Sequence, residues 1–383
     1  MDCLLTEEQK MIKDLARQIA REKIKPVAAE YDEKEEFPWP IVKILADADI
    51  FGIYISEEYG GLGGGVFDLA IATEELSWGC GGISLAFAAT ALGTFPIILF
   101  GNDEQKKKYL PKIAKGTVAA FCITEAEAGS DAGSIKTQAV KDGDHYILNG
   151  TKQWITNGGE AEVYVVIAMT DKKKGTRGAT AFIVEKGTKG LDFGKKEKKL
   201  GIRGSATREV VLTDCRIPKE NVLSKEGMGF IVAMKTFDYS RPGVAAQALG
   251  IAQRALDEAV KYASERKQFG QSISSFQGIQ FMLADMAIQV EAARAVVYRA
   301  AKIIDSGCKE ISKISAIAKT FASDVAMKVT TDAVQIFGGY GYMREYPVEK
   351  LMRDAKITQI YEGTNQIQRG IIAANLIKEL KKK

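Results

Sequence analysis

Histidine is almost missing from this chain. Of 383 residues only His145 carries an imidazole. It sits in "KDGDHYILNG", which predicts a hairpin with the histidine at a strand edge beside the turn. Ser-His-Asp and Cys-His nucleophile chemistry needs an imidazole held in place by partners, so both are excluded, and zinc sites with histidine ligands are equally unsupported. No metal is expected. Acid or base work falls to carboxylates, Lys, Tyr or Cys.

Cysteine is sparse as well. Cys3, Cys80, Cys122, Cys215 and Cys308 form no C-x-x-C pair, and their number is odd. Free buried thiols in a reducing compartment are expected. No run of about 18 apolar residues exists, so no membrane span is predicted. The first residues, "MDCLLTEEQKMIKDLARQ", have neither an apolar signal core nor an Arg/Ser-rich transit pattern, and a cytoplasmic location is the expectation. The net charge is only +4 and the lysine runs read as solvated loops and tails, so nucleic acid is not an expected partner. The glycine clusters "YGGLGGGVF" and "GGYGYM" fail G-x-G-x-x-G and follow no strand of a βαβ unit. No P-loop sequence occurs.

What remains is the pattern of a globular enzyme, 46% hydrophobic and long enough for two or three units. Residues 1–115 carry helical periodicity. In "TEEQKMIKDLARQIAREKI" the apolar positions Met11, Ile12, Leu15 and Ile19 recur at three and four, behind a Thr6 cap. Residues 116–225 change period: "HYILNGTKQWIT", "AEVYVVIAM", "ATAFIVEKG" and "REVVLTDCRI" are β-branched strands of a compact antiparallel sheet or barrel. Residues 226–383 return to long helices, each predicted to end at a glycine. The order helices, strands, helices places the chain in the α+β class, with a β unit between two helical ones.

Three stretches suggest chemistry. "FCITEAEAGSD" (121–131) joins an apolar strand to a loop whose N–H groups and hydroxyls suit a phosphate or a ring edge. "KQWITNG" offers the plane of Trp154 and the hydroxyl of Thr156. In "AKITQIYEGTNQIQRGIIAANL" Glu362 lies in a turn between apolar residues and a helix start, an arrangement that aims a carboxylate into a cavity. These stretches, with "ERKQFG" and "QIFGGYGY" in the same order, resemble the acyl-CoA dehydrogenases over essentially the whole chain.

That resemblance implies an α-helical N-terminal domain, a central antiparallel β domain and a C-terminal four-helix bundle. It implies noncovalent FAD, a homotetramer, an acyl-CoA substrate and an electron-transferring flavoprotein as acceptor. The implied reaction takes the α-proton of the thioester with Glu362 and the β-hydrogen as hydride. The donors to the thioester carbonyl are implied to be the N–H of the base itself and a flavin ribityl hydroxyl. FAD contacts are implied for Phe121, Ile123, Thr124, Gly129, Ser130, Trp154, Ile155, Thr156, Thr364 and Gln366. Arg266 and Gln277 are implied to reach the FAD of a neighbouring subunit, Gln335, Gly338 and Gly339 to lie against the FAD adenosine half, and Gln268, Phe269, Phe276 and Ile336 are further implied FAD contacts. Substrate contacts are implied for Ser130, Asp238, Arg241, Tyr361 and Gly363, with Arg241 one turn before a long helix. Some relatives place the base at the position of Ser240, which removes that alternative here. The chain departs from the family at Ala126, where proline is frequent.

For the acyl group, no Lys, Arg or His occurs from Leu76 to Gln105, the segment implied to line the acyl pocket. Relatives acting on glutaryl-CoA carry an arginine near the position of Ile83, and an unpaired distal carboxylate in an apolar site is costly. Ala86, Ala88, Ala89, Ala91 and Gly93 are expected to leave space for short to medium, branched or cyclic acyls. The alternatives are an oxidase or monooxygenase of the same fold, or a helical scaffold without activity.

Overall fold

The computed structural model describes residues 5–381. Thr6 opens the first helix by a reciprocal cap: its side-chain oxygen accepts from the Gln9 N–H, and the Gln9 side chain accepts from the Thr6 N–H. α1 (Glu7–Ile19) buries Ala16 and Ile19. Met11 and Leu15, expected on that face, are exposed. α1 runs on through a π turn at Ala20–Ile24. α2 (Ala28–Lys34), α3 (Trp39–Asp47), α4 (Val66–Gly79), α5 (Leu85–Phe100) and α6 (Asp103–Ala114) follow. α4 is buried along nearly its whole length, Glu74 and Glu75 included. Its first N–H groups, on Val66 and Phe67, donate to the carboxylate of Asp305 at 2.8 Å each, a cap supplied from far along the chain.

The strands are β1 (Ala119–Cys122), β2 (Gln138–Asp142), β3 (His145–Thr156), β4 (Val163–Met169), β5 (Ala179–Glu185), β6 (Leu191–Lys196), β7 (Thr207–Pro218) and β8 (Val222–Leu223). They form one sheet in the order β6-β7-β3-β2-β4-β5-β8, with β1 on β4. β2 and β3 make the predicted hairpin around His145. The sheet is antiparallel except at β4, which pairs in parallel with β1 and with Gln138 of β2. The parallel pairing arises because the chain enters β1 from the helices and reaches β4 only after the hairpin. Close packing of helix on sheet depends on Gly93 of α5, where an added Cβ would lie 2.7 Å from the Ala120 nitrogen.

The last part holds α7 (Gly229–Glu265), a short hairpin of β9 (Lys267–Gln268) and β10 (Gln271–Ser272), then α8 (Gln277–Asp305), α9 (Ser312–Phe337), α10 (Val348–Thr358) and α11 (Asn365–Leu380). α8 and α9 end at Gly307 and Gly338, both at positive φ, but α7 stops at Glu265, ahead of the hairpin rather than at a glycine. Arg241 is not ahead of the helix as expected; it lies within α7, which continues through Pro242. Proline removes an N–H and orphans the carbonyl four residues back. That carbonyl belongs to Asp238, and it accepts from the Ser315 hydroxyl at 2.8 Å. A neighbouring helix thus supplies the donor that proline lacks.

Cys80, Cys122 and Cys215 are free and buried as expected, whereas Cys308 is exposed; Cys3 lies outside the described residues. No helix among the described residues is long and apolar enough to cross a membrane. Ser315→Ala leaves the Asp238 carbonyl buried without its donor, and thermal or urea unfolding should show a loss of about 1–3 kcal/mol.

Candidate active site

A cavity of about 120 Å³ opens between α5, the sheet and α7. α5 presents Leu85, Ala88, Ala89, Leu92 and Phe95, the face expected from 3.6-residue periodicity. Of the small residues expected to leave room, only Ala88 and Ala89 do so. Ala86 and Ala91 point into the core, Gly93 faces the sheet, and Ile83 is buried away from the cavity wall. The sheet contributes Phe121, Ile123, Thr124, Trp154, Ile155 and Thr156, and α7 contributes Phe237, Ser240, Gly243, Val244 and Gln247. Tyr361 and Glu362 complete the wall.

Glu362 stands in the turn between α10 and α11 at φ +52°, a left-handed conformation uncommon for a residue with a Cβ. The surrounding protein holds it there. Arg241 Nε donates to the Glu362 carbonyl at 3.2 Å, and Gln368 Nε2 donates to the carbonyls of Glu362 and Gly363 at 3.1 Å each. Lys319 Nζ donates to the Gly363 carbonyl at 2.9 Å. The Ser240 hydroxyl donates to the Glu362 carboxylate. The Glu362 N–H has no protein acceptor among the described residues. Burial pushes the Glu362 carboxyl above its ordinary value, against the opposing pull of the Ser240 bond and the charges of Arg241 and Lys319. Tyr361 donates to Gln247, whose amide in turn donates to the Gly81 carbonyl at 2.8 Å, so this part of the wall is fixed from α7.

Trp154 lines the same cavity. The register of β3 against β7 slips between Lys152 and Ile155, and Trp154 lies in that bulge at φ +55°. The bulge turns the indole outward, leaving it 57% exposed at the cavity. Two residues earlier on the strand, the Lys152 side chain is fully buried, and its ammonium donates to Glu125 at 2.8 Å and to the Ile123 carbonyl at 3.1 Å. Glu125 also accepts from the Thr137 N–H and hydroxyl and from the Lys136 N–H. Burial opposes the Glu125 charge, but Lys152 and these donors hold its carboxyl below the ordinary value. The pair ties the Thr124 segment to the Trp154 segment, and the Gln153 N–H adds a bond to the Thr124 carbonyl at 2.8 Å.

Not every predicted residue meets here. Gly129 and Ser130 lie in an exposed loop outside the cavity wall. Asp238 and Arg241, expected against substrate, are 5% and 4% exposed and engage protein: Asp238 accepts from Ser312 and pairs with Arg241 at 3.4 Å. Thr364 caps α11 by accepting from the Ile367 N–H, and Gln366 is exposed. A second, open groove of about 540 Å³ gathers Arg266, Gln268, Ile336, Gly338 and Gly339 with Tyr262 and Tyr340. Phe269, Phe276, Gln277 and Gln335 are not on its wall. Between Gln247 at the cavity and Tyr262 at the groove, α7 climbs about 22 Å.

Against known proteins, the chain matches the family models described as the acyl-CoA dehydrogenase N-terminal domain (residues 6–117), middle domain (120–215) and C-terminal domain (227–377). The chain belongs to the acyl-CoA dehydrogenase family. It is 50% identical over 380 residues to the short-chain specific acyl-CoA dehydrogenase of Clostridium acetobutylicum, covering 99% of this chain and 100% of that one. Butyryl-CoA dehydrogenase of Megasphaera elsdenii superposes with a TM-score of 0.96 at 49% identity, over 98% of this chain and 100% of that one. A chain solved in work on the electron-transferring flavoprotein of Acidaminococcus fermentans and flavin-based electron bifurcation matches with a TM-score of 0.96 at 53% identity, over 98% and 99%.

The acyl-CoA dehydrogenases are FAD-dependent oxidoreductases. This cavity fits such a cofactor: an outward-turned indole and two hydroxyls, of Thr124 and Thr156, line a wall otherwise apolar. Sequence reasoning did not single out Gln247, Gln368 or Lys319. Gln368 stood inside the quoted turn motif, and Lys319 sits in the low-charge run "SAIAKTFASDVA", where one cation among small apolar residues was the only signal. At Gly363, with φ +92°, an added Cβ would lie 2.4 Å from Gln368 Nε2. Gly363→Ala should therefore displace the turn and slow flavin reduction by acyl-CoA tenfold or more (roughly 1.4 kcal/mol or above), with FAD content retained.

Proposed function

We propose that this acyl-CoA dehydrogenase oxidises a short acyl-CoA thioester to its α,β-unsaturated product, with Glu362 as the base. The observation that carries the reading is the placement of the Glu362 carboxylate on an apolar cavity wall, beside its own uncommitted N–H. Glu362 removes the α-proton. Its N–H donates to the thioester carbonyl oxygen, where negative charge develops as that proton leaves. Burial brings the carboxylate closer in basicity to its task. Ser240 fixes the carboxylate from α7, and Tyr361, held by Gln247, borders the acyl space. FAD, when bound, supplies the hydride acceptor for the β-hydrogen. Thr124, Thr156 and Trp154 would hold its ring, with Phe121, Ile123 and Ile155 behind it.

Size and charge limit the acyl group. Leu92 and Phe95 fill the wall where smaller residues would extend it. No cation lines the cavity among the described residues, so a dicarboxylyl group would leave its distal charge unpaired. The short-chain relative of Clostridium acetobutylicum supports the same choice.

The electron acceptor in this reading is an electron-transferring flavoprotein, on the strength of the 53% identical chain from Acidaminococcus fermentans work. The assembly is a homotetramer in which the Arg266 groove receives part of the FAD of another copy. Apolar side chains left exposed along α8 and α11, Phe281, Ile288, Leu376 and Ile377 among them, suit burial between copies.

The test is the anaerobic visible spectrum of the FAD-loaded protein with butyryl-, octanoyl- and cyclohexanecarbonyl-CoA in turn. The flavin band should bleach fastest with butyryl-CoA. Glu362→Gln should keep the band and bleach about 10²–10⁴-fold more slowly. Because the base must be ionised and its carboxyl is raised, the rate should rise with pH and reach half its plateau above the usual value of about 4.3 for a glutamate. A protein that binds no FAD, or a Glu362→Gln variant that bleaches normally, would overturn the reading.

A further inference from the structure

Lys319 is an ammonium on α9 with no accessible surface. Its Nζ donates to the Gly363 carbonyl and to Asn365 Oδ1, each at 2.9 Å. It takes part in no ion pair with a carboxylate among the described residues, although burying an unpaired cation is expensive. A methionine would fill the same space at lower cost. The position of the cation is informative: it lies directly under the turn that carries Glu362, on the carbonyl one residue after it.

We propose that Lys319 is a positioning residue for the dehydrogenation, clamping the turn of Glu362 and setting a positive charge beneath that carboxylate. The inference rests on Glu362 being the base. The clamp is geometric. Arg241 holds the Glu362 carbonyl from α7, Lys319 holds the Gly363 carbonyl from α9, and Gln368 of α11 spans both. Asn365, which receives the second Lys319 bond, is itself fixed by donating to Ser323 and Asp324 at 2.8 Å each. The turn is thereby locked to three helices.

The charged groups around Lys319 are Glu362 from the turn, Arg241 from α7 and Asp324 from its own helix. Asp324 is already engaged by Gln359, Asn365 and Arg369. Burial pushes Lys319 down to about 7, the charge of Glu362 works to keep it protonated, and Arg241 works against that. The influence is mutual: the Lys319 cation lowers the carboxyl of Glu362, which burial raises. Lys319 therefore keeps Glu362 ionised, and so ready to accept a proton, at a lower pH than the cavity alone would allow.

Lys319→Met removes both donor and charge, and Lys319→Gln removes the charge but keeps a donor. The measurement is the anaerobic rate of flavin bleaching by butyryl-CoA between pH 5 and 9 on the FAD-loaded full chain, together with FAD content and melting temperature. Both variants should move the acid limb of the profile to higher pH, by about one unit. Lys319→Met should also lower the plateau rate, and Lys319→Gln should recover part of that loss. An FAD-loaded variant with the wild-type acid limb overturns the proposal, whatever its plateau. Failure of both variants to fold or load FAD makes Lys319 a purely structural residue and overturns it too. If wild type itself does not bleach with butyryl-CoA, the short-acyl substrate fails rather than the role of Lys319, and if Glu362→Gln bleaches normally, the base assignment fails.

Discussion

As the proposed base, the carboxylate of Glu362 has to be kept out of bulk water, remain able to ionise and point at one place, and much of the surrounding structure answers to those demands. A side chain on a free turn would meet none of them. Here the two carbonyls of the turn are taken by three donors from three helices, Arg241, Lys319 and Gln368. Backbone in the left-handed region costs of order 1–3 kcal/mol for a residue such as Glu362, and it persists only where neighbours over-determine it. The unusual continuation of α7 through Pro242 belongs to the same arrangement. It lets one helix deliver Ser240 to the carboxylate, Arg241 to the backbone behind it and Gln247 to Tyr361. Ser315 makes that continuation tolerable by accepting the role of the missing proline N–H.

A second out-of-the-ordinary backbone position helps form the same cavity. Trp154, like Glu362, has a positive φ and a side chain on the wall. Its support is a buried ion pair, Glu125 with Lys152, in which Glu125 also receives three hydrogen bonds from Lys136 and Thr137. A buried pair is seldom a gain in stability over apolar residues of the same size, but it does fix relative position. The pair lies between the strand ends that bear Thr124 and Trp154, so what it fixes is the face offered to a flat ring. The two parts of the wall are thus built by the same means: a residue at positive φ on the wall, and nearby a buried lysine that donates to a backbone carbonyl.

The helix–sheet–helix order was visible in the change from a period of three to four residues to alternation and back, because that pattern depends on neighbours along the chain. The candidate base was visible for the same reason: Tyr361, Glu362, Gly363 and the Thr364 cap are contiguous. What stayed hidden depends on contacts far apart in sequence. Arg241 was expected one turn before a long helix, and it takes Ser315, more than seventy residues on, to show how α7 runs through Pro242. Ala86 and Ala91 are as small as Ala88 and Ala89, and it takes the rotation of α5 against the sheet to separate cavity from core. Lys319 carried only a faint local mark, one cation among small apolar residues, since a lone lysine on a long helix usually faces water.

The cavity and its lysine raise opposing demands, and their balance says something about how the site works. An apolar enclosure strengthens Glu362 as a base, yet the same enclosure favours the protonated form, in which it is no base at all. A cation placed against the carboxylate itself would cancel the gain in basicity and occupy the space the substrate needs. Lys319 acts instead through the backbone, bonded to the carbonyl of the next residue and outside the cavity wall. Its charge reaches Glu362 without touching it, and its bonds leave the Glu362 N–H free on the other side of the turn. In the proposed reaction one short turn carries three separate functions: a proton acceptor at the side chain, a hydrogen-bond donor at the nitrogen, and an electrostatic anchor at the carbonyl that follows.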